Sequence, residues 1–153
     1  MIELTASYEV GEGCKPFVIA ELASNHNGSM ELAKKLIYES FQAGADCVKF
    51  QSWSKNTIFS KVKYEENYFL DDDYRNRTDK NMEEAVEEYS FSEPQLQEVK
   101  DYCDELGIAF ASTPFSFGES DFLVADLGMD FIKIASMDLN NLPFITYLAG
   151  KGK

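Results

Sequence analysis

Four times along the chain a short apolar run is followed by a polar cluster and then by an amphipathic stretch, the first three stretches closing on glycine. The runs cover residues 17–20, 47–50, 108–111 and 131–135. Each is apolar almost throughout and does not alternate, the pattern of a parallel strand covered on both faces. After the first run, Met30, Ala33, Leu36, Ile37 and Phe41 fall on one face of a predicted helix, and Gly44 is its stop. Ser92-Glu93-Pro94-Gln95 reads as a capping box with proline in the first turn, ahead of Leu96, Val99, Cys103, Leu106 and the stop Gly107. Phe122, Ala125 and Leu127 mark a shorter helix closed by Gly128, and Ile145 and Leu148 mark the last. A repeated βα unit builds either an open doubly wound sheet or a (β/α)₈ barrel. The first turn carries neither GxGxxG nor GxxxxGK[ST], which favours the barrel. A closed barrel takes about 250 residues, so 153 residues with four βα units are expected to be its N-terminal half, a fragment or a half-barrel that must associate. The fourth strand is then an open edge.

Composition narrows the partners. Fourteen basic against 27 acidic residues give a net charge of −13 without a basic patch, which argues against nucleic acid and an anionic membrane face. No apolar run is long enough to span a bilayer and the N-terminus lacks the order of a signal peptide, so a cytoplasmic protein is expected. Cys14, Cys47 and Cys103 are odd in number and widely spaced, which predicts reduced thiols. Residues 52–91 break the compact repeat as a long connection. Eleven of the 27 acidic residues lie there or at Glu93, including Asp71-Asp72-Asp73, interleaved with Tyr64, Tyr68, Phe69, Tyr74 and Tyr89. Such a run is expected to be a solvated face on a partly ordered loop packed over the sheet, and not a metal site.

The chemistry of a βα repeat gathers where the strands end. Lys49 and Lys133 stand near the ends of two apolar runs, with Thr113 and Ser136 at the ends of runs. Two ammonium groups and two hydroxyls suit a phosphate monoester. Two other readings stay open: each lysine pairs with a carboxylate such as Glu21 or Asp138, or one of them is an imine-forming nucleophile. His26, the one histidine, lies in a polar turn where structural hydrogen bonding is expected. Trp53 lines the pocket mouth or packs under the long connection, with packing expected.

In order, Ile19-Ala20-Glu21-Leu22-Ala23-Ser24-Asn25-His26-Asn27-Gly28, Gly44-Ala45-Asp46-Cys47-Val48-Lys49-Phe50-Gln51, Ser112-Thr113-Pro114-Phe115-Ser116 and Ile132-Lys133-Ile134-Ala135-Ser136 closely resemble the sialic acid synthase family. The resemblance runs from about Phe17 to the last residue. It implies a (β/α)₈ barrel that condenses phosphoenolpyruvate with an N-acylated mannosamine-type sugar, as a homo-oligomer, dimeric in the family. It implies that Lys49, Thr113, Lys133 and Ser136 bind phosphoenolpyruvate, with lysine as anion clamp and not as imine, and that Glu21 and Gln51 meet the sugar. Glu21 and Asp138 are the expected catalytic carboxylates; Asp138 stands where many members carry Glu, a carboxylate that handles a proton or the attacking water. It also implies a divalent metal, Mn or Mg, polarising the sugar aldehyde. Its ligands, the second half-barrel and the antifreeze-like domain are expected outside this chain.

Overall fold

A computed structural model describes residues 1–66 and 80–153 of the chain. Its centre is a parallel sheet of β3 (Ile19–Ala23), β4 (Cys47–Ser52) and β5 (Ala109–Pro114), in that order. Ile19 aligns with Cys47 and Cys47 with Ala109, so three chemically similar runs lie level. α1 (Met30–Gln42) crosses from β3 to β4 and α4 (Glu93–Leu106) leads into β5. Helix and strand periodicity meet in one core: Ala33 and Ile37 of α1 and Leu96, Val99 and Cys103 of α4 are buried with Val48, Phe50 and Phe110 of the sheet. Phe50 and Phe110 stack at 6.1 Å between ring centres.

The predicted stops act as such: Gly44 follows α1 at φ 85° and Gly107 ends α4 in the left-handed conformation at φ 75°. Ser29, which was not singled out from the sequence, caps α1 by accepting from the Leu32 N–H at 3.2 Å. The Ser92 N–H and hydroxyl both donate to Gln95 Oε1, at 3.0 and 2.8 Å. β3 starts two residues later than its sequence pattern, and β4 and β5 each extend into the polar residues that follow. That extension matters, because it places Gln51 and Thr113 within strands.

The fourth predicted strand is corrected. Residues 131–135 are no ladder strand, although Phe131 and Ile132 pack against the core and Ala135 is extended at φ −63°, ψ 145°. A strand exists only through the donors and acceptors of its neighbour. On β5 the Ser112 N–H is already given to Met129 Sδ at 3.1 Å, which removes a donor that a fourth strand would need. Between β5 and this run lie α5 (Phe117–Asp121) and a π-helical turn over Phe122–Asp126, in which Leu123 is buried and Ala125 is exposed. A 3₁₀ turn, Ser136–Asp138, then leads to α6 (Leu142–Ala149), buried through Phe144 and Leu148.

Four further elements were not expected. An N-terminal antiparallel hairpin pairs β1 (Ile2–Thr5) with β2 (Tyr8–Val10), and Tyr8 packs edge-on to Phe17 at 4.6 Å. Within the long connection, α2 (Lys61–Glu66) and α3 (Met82–Tyr89) replace part of the expected loop. Asn81 and Glu84 form a reciprocal capping box with both bonds at 2.9 Å, a signal present in the sequence as N-x-x-E. Among the described acidic residues here, Glu84 serves the cap and others form ion pairs, such as Lys55 with Glu87 at 3.1 Å and Lys80 with Glu88. The expectations for Tyr68, Phe69, Tyr74 and the Asp71–73 run lie outside the described residues.

Candidate active site

Side chains alternate across a strand, so Lys49 and Gln51 share one face of β4 while Val48 and Phe50 enter the helix-covered core on the other. The parallel register sets Glu21 beside Lys49 and Gln51 beside Thr113. The run after β5 brings Lys133, Ala135 and Ser136 to the same place. Together Glu21, Lys49, Gln51, Thr113, Lys133 and Ser136 line one cavity of about 420 Å³, with Phe115, Ala135 and Met137 completing the wall.

Lys49 is buried, at 8% exposure, and pairs with Glu21, whose carboxylate remains half exposed. Burying an ammonium group is costly without a partner, and the carboxylate across the register supplies one. Lys133 is exposed and, among the described residues, donates only to its neighbour's carbonyl, Ile134 O, at 2.6 Å. Among the described residues no carboxylate lies within ion-pair distance of it. The cavity therefore holds one compensated ammonium group and one uncompensated one. Asp138 stands apart from this wall: its carboxylate accepts from Asn141 Nδ2 at 3.2 Å, at the end of the 3₁₀ turn.

His26 is structural in its surroundings. Its ring stacks on Phe91 at 3.8 Å and its Nδ1 accepts from the Gly28 N–H at 3.1 Å. Burial lowers its pKa from 6.5 to about 4, so the ring is neutral near pH 7. Burial also pushes the thiols of Cys47 and Cys103 up to about 12, which leaves them unreactive, and all three cysteines are free. Among the described residues, no group of three or more His, Cys, Asp or Glu is placed to hold a metal ion. The donor set present does not fit the divalent metal that the resemblance implies.

Glu119 was missed from the sequence. Its carboxylate accepts from Thr57 Oγ1 at 2.5 Å and from the Phe115 N–H at 2.8 Å, fastening the long connection to the end of β5 beside the cavity. The signal was available, since Ser116-Phe117-Gly118-Glu119 has capping-box spacing and Ser116 Oγ accepts from the Glu119 N–H. Trp53 packs edge-on to Phe115 at 5.7 Å, and its Nε1 is buried with no acceptor among the described residues.

The NeuB family model matches residues 36–153. N,N'-diacetyllegionaminic acid synthase of Legionella pneumophila is 35% identical over 92% of this chain and 38% of its own length. Human N-acetylneuraminate-9-phosphate synthase is 32% identical over 99% of this chain and 41% of its own. The crystal structure of N-acetylneuraminic acid synthetase from Leptospira borgpetersenii superposes with a TM-score of 0.79 at 26% identity, covering 97% of this chain and 46% of that one. The chain thus spans about two-fifths of the length of the curated relatives it matches. With strand-end motifs in family order, a family match over most of the chain and relatives named as synthases of sialic and legionaminic acids, the chain belongs to the NeuB family of sialic acid synthases.

Proposed function

We propose that this chain supplies the phosphoenolpyruvate-binding part of a synthase that joins phosphoenolpyruvate to an N-acylated mannosamine-type sugar. The products are a nine-carbon 2-keto sugar acid and phosphate, and the three parallel strands are part of a (β/α)₈ barrel. The observation that carries this reading is the convergence of Lys49, Lys133, Thr113 and Ser136 on one cavity, with Lys133 free of any carboxylate among the described residues. An uncompensated ammonium group beside hydroxyls is an anion site waiting for charge. Glu21 and Gln51 face the sugar from the same wall.

In the reaction the methylene carbon of phosphoenolpyruvate forms a bond to the sugar aldehyde carbon, whose oxygen takes a proton. Water adds to the cationic carbon left behind, and the carbon–oxygen bond to phosphate then breaks. Lys49 and Lys133 hold the departing phosphate and balance its charge, which stabilises the transition state where that charge grows. Glu21 shares Lys49 with the phosphate, so anion binding frees its carboxylate for the sugar. Asp138, one turn beyond the cavity, takes the proton of the attacking water after exchanging its Asn141 contact. The free thiols support a cytoplasmic setting.

Calorimetric titration of phosphoenolpyruvate against the wild-type protein and Lys133→Met tests the clamp. Loss of a charge-assisted contact worth about 1.5–3 kcal/mol weakens binding roughly ten- to a hundred-fold, with the melting temperature unchanged. Unchanged affinity in a folded variant refutes the clamp. Borohydride trapping of a keto substrate on the protein would instead establish the imine.

A further inference from the structure

Lys49 and Thr113 are held by the sheet ladder, but Ser136 is not: it lies on the 3₁₀ turn ahead of α6. Asn141 joins that turn to the helix. Its N–H donates to the Asp138 carbonyl at 2.9 Å, its Nδ2 donates to the Asp138 carboxylate, and its Oδ1 caps α6 by accepting from the Phe144 N–H at 3.4 Å. Turn and helix therefore move together. Toward its other end α6 is fastened by a polar cluster outside the cavity. Asp121, the last residue of α5, accepts on Oδ1 both from the Tyr147 hydroxyl, at 2.6 Å, and from Lys151 Nζ. Lys151 Nζ also stands 4.4 Å from the centre of the Tyr147 ring. Lys151 first and Tyr147 second hold the Asp121 carboxyl below its ordinary range.

Apolar contact already brings the two helices together, since Phe117 of α5 meets the rings of Phe144 and Tyr147 edge-on at 5.4 and 4.7 Å. Such contact has no direction, whereas charge-assisted hydrogen bonds fix one. Tyr147 lies roughly 9 Å along the helix from Asn141, at 1.5 Å per residue, so fastening both places sets the line of the axis. We infer that Asp121 is a positioning residue of the anion cavity: it fixes α6 through Tyr147 and Lys151, and α6, through Asn141, aims the Ser136 hydroxyl at the bound phosphate. This role rests on the synthase reading proposed above and adds to it a residue that touches no substrate. Glu119 on the same short helix ties Phe115, so α5 carries the fastenings of two parts of the cavity wall. An exposed ion pair adds little to stability. Removing Asp121 is therefore expected to disturb the aim of Ser136 more than the melting temperature.

Phosphoenolpyruvate is titrated by calorimetry against the wild-type protein, Asp121→Ala, Ser136→Ala and the double variant, with thermal melts alongside. Lys100→Ala, which breaks the ion pair with Asp104 on α4, is the control for a general loss of stability. Asp121→Ala and Ser136→Ala are each expected to weaken binding roughly fivefold, and the double variant no further, because both remove the same contact. Lys133→Met keeps its full effect in the Asp121→Ala background, and Lys100→Ala leaves affinity unchanged. Tyr147→Phe, which keeps the ring against Phe117 and removes the hydroxyl, takes the place of Asp121→Ala should that variant fail to fold. Unchanged affinity in folded Asp121→Ala overturns the positioning role and leaves the synthase reading standing. Losses that multiply to roughly 25-fold in the double variant also overturn it, because the two residues then act independently. An equal loss in Lys100→Ala marks a general effect of stability and overturns it as well. A wild-type protein that does not bind phosphoenolpyruvate overturns both.

Discussion

Gly28 occupies a position that no other residue fits. Its φ is 75°, and a Cβ there would stand 2.3 Å from the Glu88 carbonyl oxygen at the end of α3. The backbone of the first strand-to-helix turn is thereby pressed against the long connection. Gly28→Ala is expected to cost about 2–4 kcal/mol, through left-handed strain and the displaced carbonyl together; urea denaturation of the two proteins measures it. The neighbouring His26 gives a signature in pH. Its folded pKa of about 4 lies below the ordinary 6.5, so the unfolded chain binds the proton more readily. The stability His26 contributes is complete above pH 6.5 and is lost as pH falls through the window toward 4, with a slope of at most about 1.4 kcal/mol per pH unit. Denaturation curves from pH 7 to 4.5 for wild type and His26→Gln should differ in this slope, and parallel curves would show that the ring does not titrate in folding. The turn around this residue was legible as polar and glycine-ended; its burial against Phe91 was not, because Phe91 is 65 positions away in sequence.

At the scale of elements, the site depends on how the long connection is tied down. Glu119, at the start of α5, holds Thr57 with one carboxylate oxygen and the Phe115 backbone with the other. Phe115 lines the proposed phosphate cavity and packs on Trp53, so one carboxylate sets the spacing between strand end and connection. Glu119→Ala should destabilise the protein by about 2 kcal/mol, as hydrogen bonds to a charged group are lost. Amide hydrogen exchange should rise at residues 54–58 and at Phe115 while α1 and α4 keep their protection. Uniform acceleration across all helices would contradict this local role. The helices that pack on the sheet were readable because caps and apolar spacing are local. α3 was equally readable through Asn81 and Glu84, but charge density masked its short apolar face of Met82 and Ala85.

For the molecule as a whole, β4 is the central strand of the sheet. Among the described residues β3 and β5 each pair with β4 alone, and apolar side chains remain exposed near β3, on the turn before α6 and at the first residue of α6: Val18 at 50%, Met137 at 55%, Leu139 at 67% and Leu142 at 68%. Open parallel edges beside exposed apolar surface invite pairing with another chain. A protein of residues 1–153 alone is expected to associate, with a sedimentation coefficient that rises with concentration in the micromolar range. A compact monomer of 17.3 kDa over that range would refute the expectation. No described helix is long and apolar enough to cross a membrane.

The sequence by itself determined the parallel βα architecture, the stops of α1 and α4 and the capping box of α4, and the candidacy of Lys49, Thr113, Lys133 and Ser136, because periodicity, capping and position after a strand are properties of nearby residues; Glu21 and Gln51 entered as site candidates through the resemblance to the family. Only the tertiary structure decided that Glu21, Lys49, Gln51, Thr113, Lys133 and Ser136 share one cavity, that Lys49 is compensated by Glu21 whereas Lys133 has no carboxylate partner among the described residues, and that Asp138 sits outside the wall. It also decided that residues 131–135 form no ladder, since a strand is a relation between two segments and the Ser112 N–H goes to a methionine sulfur. Which charges are paired and which donors are spent depends on partners distant in the chain, and distance in space is set by packing.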